Sequence, residues 1–235
     1  MVRLDKFCAE LGMGTRSEVK QVIRGGKVLL NGQVCRKPET KINEETDQVV
    51  YQGRECKYEK FVYYMLNKPV GVVSATQDDR EKTVIDVLRE QVELTQEVFP
   101  VGRLDKDTEG LLLLTNDGAL SHRLLSPRHH VPKTYEVHCK QAVTEDMLKQ
   151  LTDGVDIGES TKTLPATAEL LTEDTLLLTI TEGKFHQVKR MLQAVGNEVI
   201  YLKRLQMASL RLDERLKPGQ ARCLKNDEIS GLQEY

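Results

Sequence analysis

The sequence predicts an α+β protein in which a small N-terminal module precedes a larger domain built on a mostly antiparallel sheet. Two short helical patterns and a hairpin pattern come first, and strand and helix patterns then alternate from Phe61 onwards. A polar stretch, Gln52 to Lys60, separates the two parts and is the predicted linker. These three observations indicate domains at residues 1–59 and 60–235.

The composition excludes several classes of protein. Of the 235 residues, 30 % are charged and 39 % are hydrophobic, and no apolar run approaches the ~18 residues of a membrane span. The N-terminal residues lack the apolar core of a signal peptide. The five cysteines are scattered without a C-x-x-C pair, which argues against a disulfide framework and against a zinc site. We therefore expect a cytoplasmic protein that has no membrane partner and no zinc site.

The N-terminal module begins with two predicted helices. Leu4, Phe7 and Leu11 recur at helical spacing and predict a first short amphipathic helix. Thr15 followed by Glu18 has the pattern of a capping box, which predicts that a second helix begins there. Two short helices of this kind, together with a hairpin, make a compact module.

Basic residues follow one side of the second helix, and a hairpin comes after it. Arg16, Lys20 and Arg24 are four residues apart and stack on the outer side of the helix. Asn31-Gly32 between two apolar runs predicts a hairpin with a type I′ turn. The module therefore contains a basic stripe and a small β-element.

The larger domain is predicted from further strands and one helix. Asn116-Asp117-Gly118 is expected to form a turn, and a helix over residues 187–195 is ended by Gly196-Asn197. The mixture of elements favours a substantial sheet whose strands are mostly antiparallel. The predicted strands are residues 61–66, 99–104, 111–115, 134–139 and 176–180.

Basic residues are concentrated in three segments, although the net charge is only −2. Residues 2–37 carry eight Lys or Arg against three acids, and residues 119–135 carry three Lys or Arg, three of the five histidines and no acid. Residues 184–211 carry six Lys or Arg against Glu198 alone. Such segments on a slightly acidic chain indicate local binding to a phosphate backbone. Ordinary solvated faces remain the alternative for any one segment.

One loop between two apolar strands concentrates charge. Residues 100–111 contain three acids and two bases, and glycines bracket the charged residues. The residues alone leave two interpretations open: Asp105 or Asp107 caps a helical turn with Arg103 as its ion-pair partner, or the two acids bind a metal ion. The flanking bases and the lack of a nearby His or Cys oppose the metal site.

The N-terminal residues contain two longer motifs. They are Arg3-Leu4-Asp5-Lys6-Phe7 and Gly26-Lys27-Val28-x-x-Asn31-Gly32. Over about the first fifty residues, the sequence resembles the S-four-type RNA-binding domain. The resemblance implies a basic helix that docks on structured RNA through its shape and its phosphates. Arg16, Lys20 and Arg24 are the residues that would make those contacts.

Four motifs follow in the larger domain. They are Asn67-Lys68-Pro69-x-Gly71, Gly102-Arg103-Leu104-Asp105-x-x-Thr108-x-Gly110-Leu111-Leu112, Lys133-x-Tyr135-x-Val137 and Gly183-Lys184-Phe185-His186-Gln187-Val188-Lys189-Arg190-Met191. In this order they resemble the motifs of the ribosomal pseudouridine synthases, and residues 121–130 are most similar to the small-subunit member of that family. With the N-terminal module, the resemblance covers nearly the whole chain.

This family resemblance implies the isomerisation of uridine to pseudouridine in ribosomal RNA. The N-glycosidic bond is cut, the base turns in its pocket, and C5 is joined to the ribose carbon. The resemblance places the oxygen nucleophile on Asp105, a residue type that is already ionised at neutral pH. It also implies no cofactor and no metal. The expected partner is ribosomal RNA of the small subunit or of its assembly intermediate, bound by a monomer.

Lys189 is the cation that the resemblance places beside Asp105. A buried carboxylate needs such a charge to stay ionised. Winding residues 187–195 as a helix puts Val188 and Met191 on an apolar face and Lys189 on the opposite face. A solvated helix face remains the alternative for Lys189.

The remaining site residues come from the same resemblance. Tyr135 is expected to stack on the target base, although a strand tyrosine taken alone is more often part of a core. Arg103 would help to extrude the base and occupy its place in the stack. His186 and Arg190 would contact the RNA.

Three other functions stay open on the sequence. A sibling enzyme would share the catalytic motifs and act on a large-subunit uridine. A non-catalytic RNA-binding or ribosome-assembly protein would use the same N-terminal module, but it has no need of Asp105 in a basic cleft. Metal-dependent phosphodiester cleavage is the third, and EDTA would abolish it.

Overall fold

The computed structural model describes residues 1–44, 46–56, 60–94 and 96–235. The chain divides into two compact units, Met1–Lys60 and Phe61–Tyr235. Each unit has apolar core residues of its own. Within the described residues, no helix combines the length and the apolar character that a membrane span requires.

In its described residues, the first unit consists of two helices and two small sheets. Its elements are β1 (Val2–Arg3), α1 (Leu4–Glu10), α2 (Arg16–Arg24), β2 (Val28–Leu30), β3 (Gln33–Cys35), β4 (Lys41–Ile42), β5 (Val49–Tyr51) and β6 (Arg54–Cys56). Strands β3, β2, β5 and β6 form an antiparallel sheet in that order, and β1 pairs with β4.

Local interactions explain where α2 begins. The Thr15 N–H donates to Glu18 Oε2 at 2.7 Å, and the Glu18 N–H donates to Thr15 Oγ1 at 3.4 Å. Each residue thus satisfies a backbone group of the other, as a capping box requires. Phe7 of α1 and Ile23 of α2 are buried in the core of the unit. The predicted cap and both predicted helices are confirmed.

The hairpin of β2 and β3 turns at Asn31 and Gly32, which have φ angles of 50° and 79°. Positive φ at both central positions defines the type I′ turn, so this prediction is confirmed. The linker prediction over Gln52–Lys60 is wrong for Arg54–Cys56, which form β6 and pair with β5. An edge strand pairs through its backbone and tolerates polar side chains. The polar composition of these residues therefore predicted a linker where the chain forms an edge strand. Residues 57–59 of the predicted linker lie outside the described residues.

The second unit is built on one nine-stranded sheet. Its elements are β7 (Tyr63–Lys68), α3 (Val84–Arg89), β8 (Phe99–Pro100), β9 (Glu109–Thr115), α4 (Gly118–Leu125), a 3₁₀ turn (Pro127–His129), β10 (Lys133–Cys139), α5 (Glu145–Asp153), β11 (Thr167–Leu170), β12 (Thr175–Ile180), α6 (Gln187–Ala194), β13 (Val199–Met207), β14 (Leu210–Arg211), β15 (Ala221–Cys223) and α7 (Asn226–Gln233).

The order of strands in this sheet is β11, β12, β10, β13, β9, β7 and β15, with β14 beside β13 and β8 beside β9. Neighbouring strands are antiparallel except for β13 and β9, which are parallel. The predicted α+β class with a mostly antiparallel mixed sheet is confirmed. The parallel contact is the important exception, because it sets β13 beside the strand that follows the charged loop.

Apolar side chains cover both faces of the sheet. On β9, Leu112 and Leu114 pack into one cluster, and Leu111 and Leu113 pack into another. Helices α3, α5 and α6 contribute to the first cluster, and α4 and α7 contribute to the second. Because successive side chains of a strand point to opposite faces, β9 is buried on both sides. This explains its unbroken run of leucines.

Two predictions for the segments beside β9 need correction. The strand expected over residues 99–104 is limited to Phe99–Pro100, because the chain turns at Gly102 with a φ of 77°. Residues 116–118 do more than turn: Asp117 Oδ1 accepts a hydrogen bond from the Leu120 N–H at 3.0 Å and caps α4. The other predicted strands and the helix at residues 187–195 are confirmed within two residues at each end.

Candidate active site

A cavity of about 360 Å³ opens in the second unit. It lies between the loop that follows β8, the end of α4 and the start of α6, and strands β10 and β13 contribute to its lining. Its volume lies in the range of cavities that bind a small molecule. Five of the residues that the sequence predicts for the site line it: Arg103, Asp105, Tyr135, His186 and Lys189.

Asp105 and Lys189 form the main ion pair of this cavity. Lys189 Nζ lies 3.0 Å from Asp105 Oδ2, and His186 Nε2 lies 3.5 Å from Asp105 Oδ1. The side chains of Asp105 and Lys189 are 27 % and 25 % exposed, so the pair is partly desolvated but open to the cavity. The fold therefore brings the start of α6 to the carboxylate of a loop about eighty residues earlier.

Lys189 has a second acidic partner. Its Nζ also lies 2.5 Å from Asp107 Oδ1, and the Asp107 side chain is 69 % exposed. Burial lowers the pKa of Lys189, but its hydrogen bonds to Asp107 and Asp105 outweigh burial and raise that pKa above the usual value. The hydrogen bond from Lys189 lowers the pKa of Asp107. Lys189 is thus held as a cation between two carboxylates. The prediction from the sequence named only Asp105 as its partner.

The same contact bears on the metal-site interpretation of the loop. The Lys189 ammonium lies within 3.0 Å of oxygens from both Asp105 and Asp107, so a cation already bridges the two acids. In the part of the chain that the structure describes, no group of three or more His, Cys, Asp or Glu side chains is arranged to hold a metal ion. The geometry favours an internal ion-pair network at this position.

Lys68 lies beneath the loop and holds its backbone. The side chain is fully buried, and Nζ donates to the carbonyl oxygens of Thr108 at 2.9 Å, Pro69 at 3.1 Å and Lys106 at 3.3 Å. Burial lowers the pKa of Lys68 to about 8, against the attraction of the nearby acids. Lys68 belongs to the motif Asn67-Lys68-Pro69-x-Gly71, and the sequence alone predicts no role for it. Its three carbonyl contacts make it a positioning residue for the loop.

Ser74 clamps the residue that precedes Asp105. Its Oγ donates to the Leu104 carbonyl at 2.8 Å and accepts from the Leu104 N–H at 3.0 Å. On the other side, the Gly71 N–H donates to the Lys106 carbonyl at 2.8 Å. Together with the lysine beneath the loop, these bonds fix the backbone on both sides of the carboxylate. No sequence pattern identifies Ser74, because its contact depends on the tertiary fold.

The aromatic residues of the site differ in exposure. Tyr135 of β10 is 8 % exposed and lines the cavity wall. The rings of Phe185 and His186 stack with centroids 3.8 Å apart, and both residues are exposed. Arg103, two residues before Asp105, is exposed at the cavity. Exposed aromatic and basic groups thus lie around a more buried tyrosine.

Arg190 has internal partners instead of a place in the cavity lining. Its Nη1 donates to Glu159 Oε1 at 2.8 Å and to the Phe185 carbonyl at 3.0 Å. Its Nη2 donates to the Ile157 carbonyl. These contacts tie α6 to the segment that contains Glu159. The geometry therefore favours a structural role for Arg190 over the predicted RNA contact.

The predicted basic stripe lies on the surface of the first unit. Arg16 and Arg24 are exposed on α2, and Lys20 Nζ lies 4.0 Å from Oδ2 of the buried Asp5. Asp5 also pairs with Arg3 at 2.9 Å, and the hydrogen bonds from Arg3 lower the pKa of Asp5. The stripe thus consists of two exposed arginines and one lysine drawn toward a buried carboxylate.

Lys133 and Arg204 are among the basic residues of the cavity lining that were not predicted as site residues. Lys133 Nζ donates to the Val131 carbonyl at 2.7 Å, and burial, together with the charge of Arg204, lowers the pKa of Lys133 to about 8. Arg204 of β13 donates from Nε to the Leu111 carbonyl at 2.8 Å. The adjacent charges of Lys203-Arg204 interrupt the apolar pattern of β13. This interruption explains why the strand, and Arg204 with it, was not predicted.

Comparison with known proteins identifies the family to which the chain belongs. Residues 62–194 match the family model described as RNA pseudouridylate synthase, and residues 2–49 match the model described as S4 domain. The chain belongs to the RNA pseudouridylate synthase family. It is an RNA pseudouridine synthase with an S4 domain at its N-terminus, so the resemblance inferred from the motifs is confirmed.

Relatives of this synthase match over its full length. A Bacillus subtilis protein named an uncharacterized RNA pseudouridine synthase, YtzG, is 50 % identical over 99 % of both chains. Proteins named ribosomal small subunit pseudouridine synthase A are 42 % identical in Vibrio cholerae and 41 % identical in Escherichia coli, over 98 % of this chain and 99 % and 100 % of theirs. A crystal structure of a pseudouridylate synthase is similar at a TM-score of 0.70 and 39 % identity, covering 99 % of this chain and all of the other.

The buried Lys68 gives a prediction for stability against pH. Its native pKa is about 8 and its ordinary value is 10.5, so the unfolded chain binds more protons between these values. The free energy of unfolding should therefore rise with pH in this window, by about 3 kcal/mol for a shift of this size. Below pH 8 the full penalty of burying the cation is present, and it is relieved as the pH rises.

Urea unfolding of wild type and Lys68→Met at pH 7, 8, 9 and 10 measures this contribution. The difference in unfolding free energy between the two proteins should change with pH in favour of wild type, because the other titrating groups cancel. Parallel pH profiles would contradict the assignment of a depressed pKa to Lys68.

Proposed function

We propose that this enzyme converts one uridine of small-subunit (16S) ribosomal RNA to pseudouridine. The observation that carries the proposal is full-length identity of 41–42 % to two proteins named for the small ribosomal subunit. The segment at residues 121–130, which resembles the small-subunit member of the family, supports the same choice. A large-subunit uridine is the second candidate, since the catalytic motifs would be shared.

In this proposal Asp105 supplies the nucleophilic oxygen. The carboxylate lines the cavity and contacts Lys189, whose charge offsets the unfavourable approach of an anionic group to a polyanion. The oxygen attacks either the ribose carbon or the base, and both routes need the ionised form. Lys189 is the group that keeps the carboxylate compensated when RNA closes the cavity and excludes water.

The other site residues act on the nucleotide and its backbone. Tyr135 stacks on the extruded base, which its place in the cavity wall supports. Arg103, exposed at the same cavity, fills the position that the base leaves in the RNA stack. His186, exposed beside Asp105, contacts the RNA near the reacting nucleotide.

The S4 domain docks the enzyme on structured RNA in this account. Arg16, Lys20 and Arg24 of α2 supply the positive charge for the phosphates. The enzyme acts as a monomer in the cytoplasm, on ribosomal RNA or on an assembly intermediate of the small subunit. It needs neither a metal ion nor a cofactor, so its activity should survive EDTA.

Chemical mapping of pseudouridine in ribosomal RNA tests the choice of substrate. RNA from cells with and without this protein is compared, and the account expects one small-subunit mark to disappear without it. Re-expression of the wild-type chain should restore that mark. Loss of a large-subunit mark instead would overturn the substrate and leave the chemistry intact.

The substitution Asp105→Asn tests the nucleophile. It keeps the shape of the side chain and removes the anionic oxygen, so turnover should fall to nearly nothing. Affinity for RNA should stay the same or rise, because one negative charge facing a polyanion is lost. The assay is tritium release from C5-labelled uridine in RNA, with a thermal melt to check folding.

Asp107→Asn is the matched control for this experiment. It removes the other carboxylate that contacts Lys189, while the pair between Lys189 and Asp105 remains. The variant should therefore keep most of its activity. Substantial tritium release by folded Asp105→Asn, or an equal loss in both variants, would contradict the assignment of the nucleophile.

A further inference from the structure

Arg204 is a buried arginine with an unused hydrogen-bond donor. The residue is 2 % exposed, and its Nε donates to the Leu111 carbonyl. Among the described residues, Nη2 is buried and has no hydrogen-bond partner. A buried donor without a partner costs about 1–3 kcal/mol, and more when it is charged, so such a group calls for a ligand or a water.

The fold fixes where this donor lies. Arg204 is opposite Tyr135 on β10 and beside Gly110 on β9. A Cβ on Gly110 would lie 2.3 Å from the Arg204 carbonyl oxygen, so only glycine allows the two strands to approach this closely. Gly110 follows the loop that carries Asp105. Arg204 itself is one of the residues that line the same cavity.

Other polar groups of the lining also have free hydrogen-bonding capacity. Lys133 has one described hydrogen bond, to the Val131 carbonyl, and an ammonium can donate three. The Thr108 hydroxyl is buried and without a partner among the described residues. Neither Lys133 nor Arg204 forms an ion pair with a described carboxylate. Among the described residues, Lys133 and Arg204 thus bring positive charge and unused hydrogen-bond donors to the cavity lining.

We propose that Arg204 donates from Nη2 to a carbonyl oxygen of the target uracil and thereby helps to determine which base reacts. Uracil presents two carbonyl oxygens, and Lys133 adds positive potential on the same side. Leu104, Val188 and Leu202 also line the cavity, and such apolar walls suit a flat base better than a phosphate.

The contact should strengthen during the reaction. When the N1–C1′ bond breaks with its electron pair left on the base, negative charge spreads over the two carbonyl oxygens. That pair then forms the C5–C1′ bond, the C5 hydrogen leaves as a proton, and N1 takes up a proton, so the product is an isomer of the substrate. A fixed cationic donor at one of these oxygens stabilises the charged state more than the neutral base. Loss of the contact should therefore appear mainly in kcat.

The first measurement compares wild type with Arg204→Lys, using the full chain and ribosomal RNA that lacks the mark. The inference rests on pseudouridine synthase activity and does not depend on which ribosomal subunit is modified. Total ribosomal RNA can therefore be used as the substrate. A lysine keeps the charge but lacks the planar fork of the guanidinium, in which Nε donates to the Leu111 carbonyl while Nη2 has no partner among the described residues. We expect kcat to fall roughly 10- to 100-fold, with KM changed less than about threefold. Arg222→Lys, an arginine paired with Asp213 and Glu228 outside the cavity, is the matched control and should keep its kcat.

The deciding measurement changes the acceptor instead of the protein. Short RNAs carry 2-thiouridine or 4-thiouridine at the mapped position, because sulfur is a weaker acceptor than oxygen. Wild type should be slowed by one of the two substitutions, and Arg204→Lys should have lost most of that sensitivity. If folded Arg204→Lys is slowed by the thio substitution as much as wild type, Arg204 does not contact the base. Its role is then structural, or Nη2 binds a water molecule, and the proposal is overturned.

Two further outcomes are decisive. If wild type is insensitive to both thio substitutions, the proposal fails whether or not a variant folds. If Arg204→Met, which removes the charge, raises KM and flattens the salt dependence of binding by about one phosphate contact, the arginine binds the backbone and the proposal is wrong. Failure of the small-subunit proposal can be distinguished from failure of this inference. It changes the mapped position of the modified uridine and leaves the effects of Arg204→Lys and of the thio substitutions unchanged.

Discussion

The ion pair between Asp105 and Lys189 is the interaction on which the active site depends. A carboxylate that faces RNA in a partly desolvated cavity is unfavourable without a nearby cation, and Lys189 lies 3.0 Å away. Because Lys189 lies in the first turn of α6 and Asp105 lies in the loop between β8 and β9, the pair also joins two distant parts of the chain. Asp107 shares the same ammonium and keeps it in place.

The rest of the second unit serves to hold this pair. Lys68 and Ser74 fix the backbone of the loop, and the apolar face of α6 anchors Lys189 through Val188. The buried leucines of β9 leave the loop little freedom at its far end. Such rigidity suits the nucleophilic role that we propose for Asp105, since the geometry of a nucleophile must be set before the substrate arrives.

The sequence predicts the parts of this structure that depend on neighbours in the chain. The capping box of Thr15 and the turn at Asn31-Gly32 follow from local backbone chemistry, and the motif resemblance leads to Asp105. The position of Arg204 could not be predicted, because β13 is defined by its pairing with strands far away in sequence. The contact of Asp107 with Lys189 likewise exists only in the folded loop.

The most direct test of the central ion pair is the single-turnover rate of tritium release by two variants of Lys189. Lys189→Met removes the cation and leaves two carboxylates uncompensated beside the RNA, so the account predicts a fall of at least about 100-fold, or ~3 kcal/mol, in folded protein. Lys189→Arg keeps the charge and should retain distinctly more activity. A Lys189→Met enzyme that folds and releases tritium at the wild-type rate would contradict the account.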